Sequence, residues 1–241
     1  MHTVIINSNH EKIQVLNKYG ESFGYVKKGE NKLIIDQLKK YNTTLMFKHP
    51  DMRDTTIKLR RKVRGGAFTL DFFIFYPMIV YDFATADMYK IKRSSKVINL
   101  DMQYTDEFYT KKFKNLNNAD NPEVYLAYIN EYPKSPYKSK AEQKMYDLAY
   151  EIAKKENSVE SYEIHNKKYP ESTYVNDAQN KIYSIAYNKA VLTNTSEAFE
   201  EYINKYPNSP KKEEANKTKL MIKEIETEYS KAIKSNSYSA Y

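Results

Sequence analysis

Ala198-Phe199-Glu200-Glu201-Tyr202-Ile203-Asn204-Lys205-Tyr206-Pro207-Asn208-Ser209 decides the fold, because the chain has carried its pattern twice before. Tyr132-Pro133-Lys134-Ser135, Tyr169-Pro170-Glu171-Ser172 and Tyr206-Pro207-Asn208-Ser209 lie 37 residues apart (169 − 132 = 206 − 169). Glu123, Glu160 and Glu197 fall in the same phase, as do Tyr125, Tyr162 and Phe199, and Ala141, Ala178 and Ala215. A fixed period of this length marks stacked units that bury their apolar faces against each other and leave an extended surface for partners.

Within each unit the proline sets the local structure. Proline cannot continue a helix interior, and it pushes the residue before it out of the α region. A short helix therefore ends at each Tyr-Pro, and the serine two places on is placed to accept a backbone hydrogen bond at the start of a longer helix. In that longer helix Ala141, Met145, Leu148, Ala149 and Ile152 recur near a period of 3.6. Ala178, Ile182, Ile185 and Ala186 repeat the face, whereas Lys219 and Lys223 replace Ile182 and Ala186 in the third unit. A polar outer face suits a terminal repeat. The reading is a helical domain over 105–233, with units 121–157, 158–194 and 195–233, then a flexible tail at 234–241.

The first hundred residues follow a different pattern. All five glycines precede residue 67. Thr3–Asn7, Ile13–Asn17, Thr43–Lys48 and Thr55–Val63 are short β-branched or alternating runs, with turns expected at Tyr19-Gly20-Glu21-Ser22 and Lys28-Gly29-Glu30 and a last strand in Ser95–Asp101. Alternation between turns predicts half-buried antiparallel strands closing into a β-sandwich over 1–104. The fold class is therefore α+β: an antiparallel β-sandwich followed by an α-helical repeat array. Residues 68–84 hold the most apolar run, Phe72-Phe73-Ile74-Phe75-Tyr76-Pro77-Met78-Ile79-Val80-Tyr81. It is too short to span a bilayer as a helix. It reads either as a core hairpin bending at Pro77, the preferred reading, or as a loop in a membrane interface with basic flanks.

The formal net charge is +8. Between Val26 and Arg64 twelve Lys/Arg face four acids, so this segment holds the whole excess. Arg60, Arg61, Lys62 and Arg64 are the candidates for contact with a membrane or another anion. The same cations, with Tyr25, Tyr41 and Phe47 nearby, also allow a rival reading as a cytoplasmic nucleic-acid-associated protein.

Motifs for chemistry are missing. There is no cysteine, hence no disulfide or thiolate. His2, His10, His49 and His165 are scattered without metal-ligand spacing, and neither a G-x-S-x-G elbow nor a P-loop is present. No catalytic residue, metal or cofactor is expected. The twenty-four tyrosines point to packing and contact instead. Those taken as in phase, Tyr125, Tyr132, Tyr162, Tyr169 and Tyr206, are assigned to the inter-repeat core. Tyr128, Tyr137, Tyr174 and Tyr202, taken as out of phase, are the candidates for a protein partner.

The repeats resemble tetratricopeptide-like units of bacterial envelope lipoproteins, on the residues quoted at the outset. The period exceeds the family's usual 34. Thr3-Val4-Ile5-Ile6-Asn7-Ser8-Asn9 and Asp82-Phe83-Ala84-Thr85-Ala86-Asp87-Met88-Tyr89-Lys90 resemble PEGA-like β-sandwich domains of Bacteroidetes-type lipoproteins. Together these resemblances imply a non-enzymatic scaffold or adaptor, periplasmic or lipid-anchored to the outer membrane, whose repeats bind a protein. Met1–Ser8 does not read as a signal peptide, so that reading expects the export signal ahead of residue 1; without one the protein would be cytoplasmic.

Overall fold

The computed structural model describes residues 1–36, 43–63 and 89–238. Arg64, the segment 68–84, Tyr41 and residues 239–241 lie outside the described residues. The chain is mixed α and β, with strands in sheets followed by helices, and divides into two compact units, Met1–Lys112 and Phe113–Tyr241.

Nine strands are described: β1 (His2–Ser8), β2 (Ile13–Leu16), β3 (Ser22–Val26), β4 (Gly29–Ile35), β5 (Thr44–His49), β6 (Met52–Lys58), β7 (Arg61–Val63), β8 (Tyr89–Ile91) and β9 (Val97–Leu100). They form sheets ordered β4-β1-β9, β3-β2-β5-β6 and β7-β8. Alternation sets the inward faces: Val4, Ile6 and Ser8 on β1, Leu45 and Phe47 on β5. One buried cluster draws on both larger sheets, including Val4, Ile6 and Ile98 from one and Ile13, Val15 and Phe47 from the other. The turn before β3 is closed by Asn17, whose Oδ1 accepts from the N–H groups of Tyr19 (2.9 Å) and Glu21 (3.0 Å). Gly20 supplies its φ of +88°, a region that other residues enter at a cost.

Three features differ from the sequence reading. Thr55–Val63 is not one strand: β6 pairs with β5 and β7 with β8, and the chain changes sheets at Leu59, which is buried and donates its N–H to the Thr43 carbonyl at 2.7 Å. β1 and β9 pair in parallel, Ile5 opposite Val97. β3, β4 and β8 carry too little alternation to be read locally.

The helices are α1 (Asp106–Lys114), α2 (Pro122–Glu131), α3 (Lys138–Glu156), α4 (Val159–Lys168), α5 (Val175–Thr193), α6 (Ser196–Lys205) and α7 (Lys212–Tyr238). Their ends recur in phase. Asn121, Ser158 and Thr195 cap α2, α4 and α6 by accepting from Glu123, Ser161 and Ala198 N–H. Asn157 and Asn194 end α3 and α5 in the left-handed region, at φ of 47° and 51°. Tyr132, Tyr169 and Tyr206 end the short helices at φ/ψ of −124°/63°, −127°/62° and −125°/63°, so the three turns are locally equivalent. Ser135, Ser172 and Ser209 each accept the N–H two residues on, at 3.1, 3.2 and 3.0 Å, but they do so within the turn. The N-caps of α3 and α5 are Tyr137 and Tyr174, so the expected serine cap falls ahead of the helix start. α2 packs on α3, α4 on α5 and α6 on α7, with α3–α4 and α5–α6 contacts linking successive pairs. Ala141, Ala178 and Ala215 are fully buried, which lets helices approach closely.

The last unit departs from expectation twice. Its outer face is not uniformly polar, since Met221, Ile225, Tyr229 and Ile233 are exposed at four-residue spacing. The helix also continues to Tyr238, past Lys234 where a flexible tail was expected, because no glycine or proline stops it.

Candidate functional site

The helical unit carries two grooves, and they are one groove repeated. The smaller, about 190 Å³, has ten lining residues, and the residue 37 positions after each of them lines the larger, about 570 Å³. Ala149 and Ala153 of α3 correspond to Ala186 and Ala190 of α5; Lys168 and Tyr169 at the end of α4 correspond to Lys205 and Tyr206 at the end of α6. The two substitutions with most effect are Ile152 by Lys189 and Ile164 by Glu201. Small alanine side chains form the helix face at each groove. Ile152 and Ile164, 44% and 62% exposed, give the first groove an apolar rim where the second has charges of both signs.

The tyrosine candidates fall differently from the sequence reading. Tyr128 and Tyr202 are buried, 4% and 3% exposed, and each shares a hydrogen bond with the serine of its own turn: Tyr128 with Ser135 at 2.6 Å, Tyr202 with Ser209 at 2.5 Å. Only Tyr202 lines a groove. These two tyrosines are in phase after all, with His165 between them (165 − 128 = 202 − 165). Tyr137 and Tyr174 are in phase as well, and half-buried. Phe113 stacks on Tyr137 at 5.0 Å and Tyr150 on Tyr174 at 4.5 Å, while Lys211 takes the third position and lies 5.3 Å from the centre of the Tyr187 ring. These pairs are packing within the helical unit. Tyr150 and Tyr174 also hydrogen-bond Asp177 and Asp147; burial and then its bond raise the Tyr150 phenol pKa, whereas for Tyr174 the bond to Asp147 comes first and burial second. Tyr128 is therefore interior, Tyr137 and Tyr174 pack within the array while half-exposed, and Tyr202 is the one of the four that lines either of these grooves, which are the candidate contact surface.

His165 is the irregular member of the set. It is 2% exposed and lines the first groove. Asn166 donates its amide to the Val175 carbonyl (3.3 Å), so its Oδ1 faces His165 Nδ1 as acceptor at 3.0 Å. A neutral imidazole then carries its proton on Nδ1, and Nε2 is a buried acceptor without a partner. Glu123 spans from α2 to the end of α4. It pairs with Lys168, whose hydrogen bond holds the carboxyl pKa below its ordinary value, and accepts from the Tyr169 hydroxyl at 3.3 Å.

In the N-terminal unit Arg60 and Lys62 are exposed on and beside β7, and the Arg61 guanidinium lies 4.3 Å from the centre of the Tyr89 ring. Arg64 lies outside the described residues. Among the described residues no group of three or more His, Asp or Glu is placed to hold a metal ion, and no helix is long and apolar enough to cross a membrane. The chain matches no protein-family model, and no curated protein is significantly similar to it.

Proposed function

We propose that the chain is a non-enzymatic protein-interaction scaffold or adaptor of the bacterial cell envelope. In this reading the helical unit is a tetratricopeptide-like array, its paired grooves hold one extended or helical segment of a protein partner, and the two larger sheets form a PEGA-like β-sandwich that carries it.

One observation supports the reading most: the groove recurs with the sequence period. Like units stack in like ways, so equivalent residues line both grooves, and such stacked units present an extended surface to a partner. The change from an apolar rim at Ile152 and Ile164 to a charged one at Lys189 and Glu201 gives the two grooves different preferences, apolar first and polar second. Both isoleucines are more than two-fifths exposed, so replacing them leaves the fold intact. The test is affinity capture from a bacterial envelope fraction by the parent and by Ile152→Asp/Ile164→Asp. A partner held by the parent and lost by a variant with an unchanged melting midpoint is expected. Equal capture by both proteins would refute the groove as the binding surface.

A further inference from the structure

The pairing of β7 with β8 collects a basic face that neither strand has alone. Lys62 lies directly opposite Lys90, and the Lys92 N–H donates to the Arg60 carbonyl at 2.7 Å. Side chains alternate across a ladder, so Arg60 and Lys62 share one face with Lys90 and Lys92. The other face holds Arg61, Tyr89 and Ile91, the last of them buried. All four outward cations are exposed, and none of them joins the ion pairs found among the described residues. Lys58, Arg93 and Lys96, near these cations in sequence, are exposed as well, and neither 55–63 nor 89–100 contains an acid. Cross-strand neighbours stand about 5 Å apart, where like charges repel. A polyanion laid across the face removes that repulsion.

Two observations favour a lipid surface over a nucleic acid. Among the described residues the face presents no aromatic ring for base stacking, because Tyr89 is on the opposite side beneath Arg61, and no Asn or Gln to read base edges. In sequence, the two basic strands also bracket the chain's most apolar run, Phe72–Tyr81, and interfacial segments combine basic and apolar character in this way. We propose that the face formed by Arg60, Lys62, Lys90 and Lys92 docks the N-terminal unit on an anionic phospholipid surface. This does not depend on the groove of the helical unit.

The experiment is co-sedimentation of the full chain with phosphatidylcholine vesicles, with and without phosphatidylglycerol, across a salt series. Binding is expected only to the anionic vesicles and is expected to weaken as salt rises. Each cation at the surface is worth about fivefold in partitioning, so Arg60→Gln/Lys62→Gln/Lys90→Gln/Lys92→Gln should lower it by about 600-fold. Thermal melting checks that this variant folds; the pair Lys90→Gln/Lys92→Gln and the parent's salt dependence give independent readouts. Three results would overturn the proposal: no binding to anionic vesicles at low salt, variants that bind like the parent, or tighter binding to single- or double-stranded DNA at the same salt.

Discussion

Two histidines illustrate how one residue reports its surroundings. His165 replaces the tyrosine that bonds the turn serine in the neighbouring units, and its environment still has that tyrosine's shape. Tyr150 meets His165 edge-on at 5.6 Å and 68°, and Tyr187 meets Tyr202 at 5.5 Å and 68°. His165→Tyr should therefore fit, bring a hydroxyl to Ser172 and remove the unpartnered nitrogen. A gain of about 1–3 kcal/mol in unfolding free energy is expected from denaturant titration; a loss would mean that the second unit has closed around the imidazole. His10 packs edge-on to Tyr104 at 5.5 Å, and burial, with smaller contributions from His49 and Lys28, lowers its pKa despite the opposing pull of Asp101. The unfolded chain keeps the ordinary value of about 6.5 and so binds the proton more readily. Stability contributed here is present above about pH 6.5 and lost as pH falls through the lower folded value. Melting of the N-terminal unit should drop from neutral to mildly acid pH, and His10→Gln should flatten that slope; an unchanged slope would remove His10 as its source.

At the scale of the element, the ends of α2 to α6 are specified within a few residues. Asparagine, serine and threonine cap the short helices, Tyr-Pro ends them, and a left-handed asparagine ends the long helices α3 and α5. What fixes the distance between helices is the row of alanines. Ala178 is fully buried, so Ala178→Phe forces helices apart and should cost about 1–3 kcal/mol, read as a lower melting midpoint of the helical signal. An unchanged midpoint would contradict the close packing. The strands are less self-sufficient. Thr55–Val63 alternates as a single strand would, yet its two ends pair in different sheets, because the partners available on either side of Leu59 differ.

At the scale of the molecule, the two units have separate cores. Phe47 belongs to the cluster of the sheets and Phe199 to that of the helices, and both are at most 1% exposed. Each truncation to alanine should cost about 3–5 kcal/mol. The two share no packing partner, so their effects should add within about 0.5 kcal/mol in the double variant, as measured by chemical denaturation with circular dichroism. A larger coupling energy would show that the cores are not independent.

The sequence by itself determined the helical half, because its signals are local and recur. Proline, cap residues and a period of 3.6 act over one or two turns, and the 37-residue phase repeats them three times. The phase also held the equivalence of Tyr128, His165 and Tyr202, hidden only because the middle member is not a tyrosine. Tertiary structure alone decided the rest. Ile5 beside Val97, and Lys62 beside Lys90, are pairings between distant segments, and a strand carries no local mark of which partner it will meet. The groove likewise needs three helices from successive units. Ala149 and Ala186 read as core from spacing alone, and only the packing of one unit on the next sets them along the grooves.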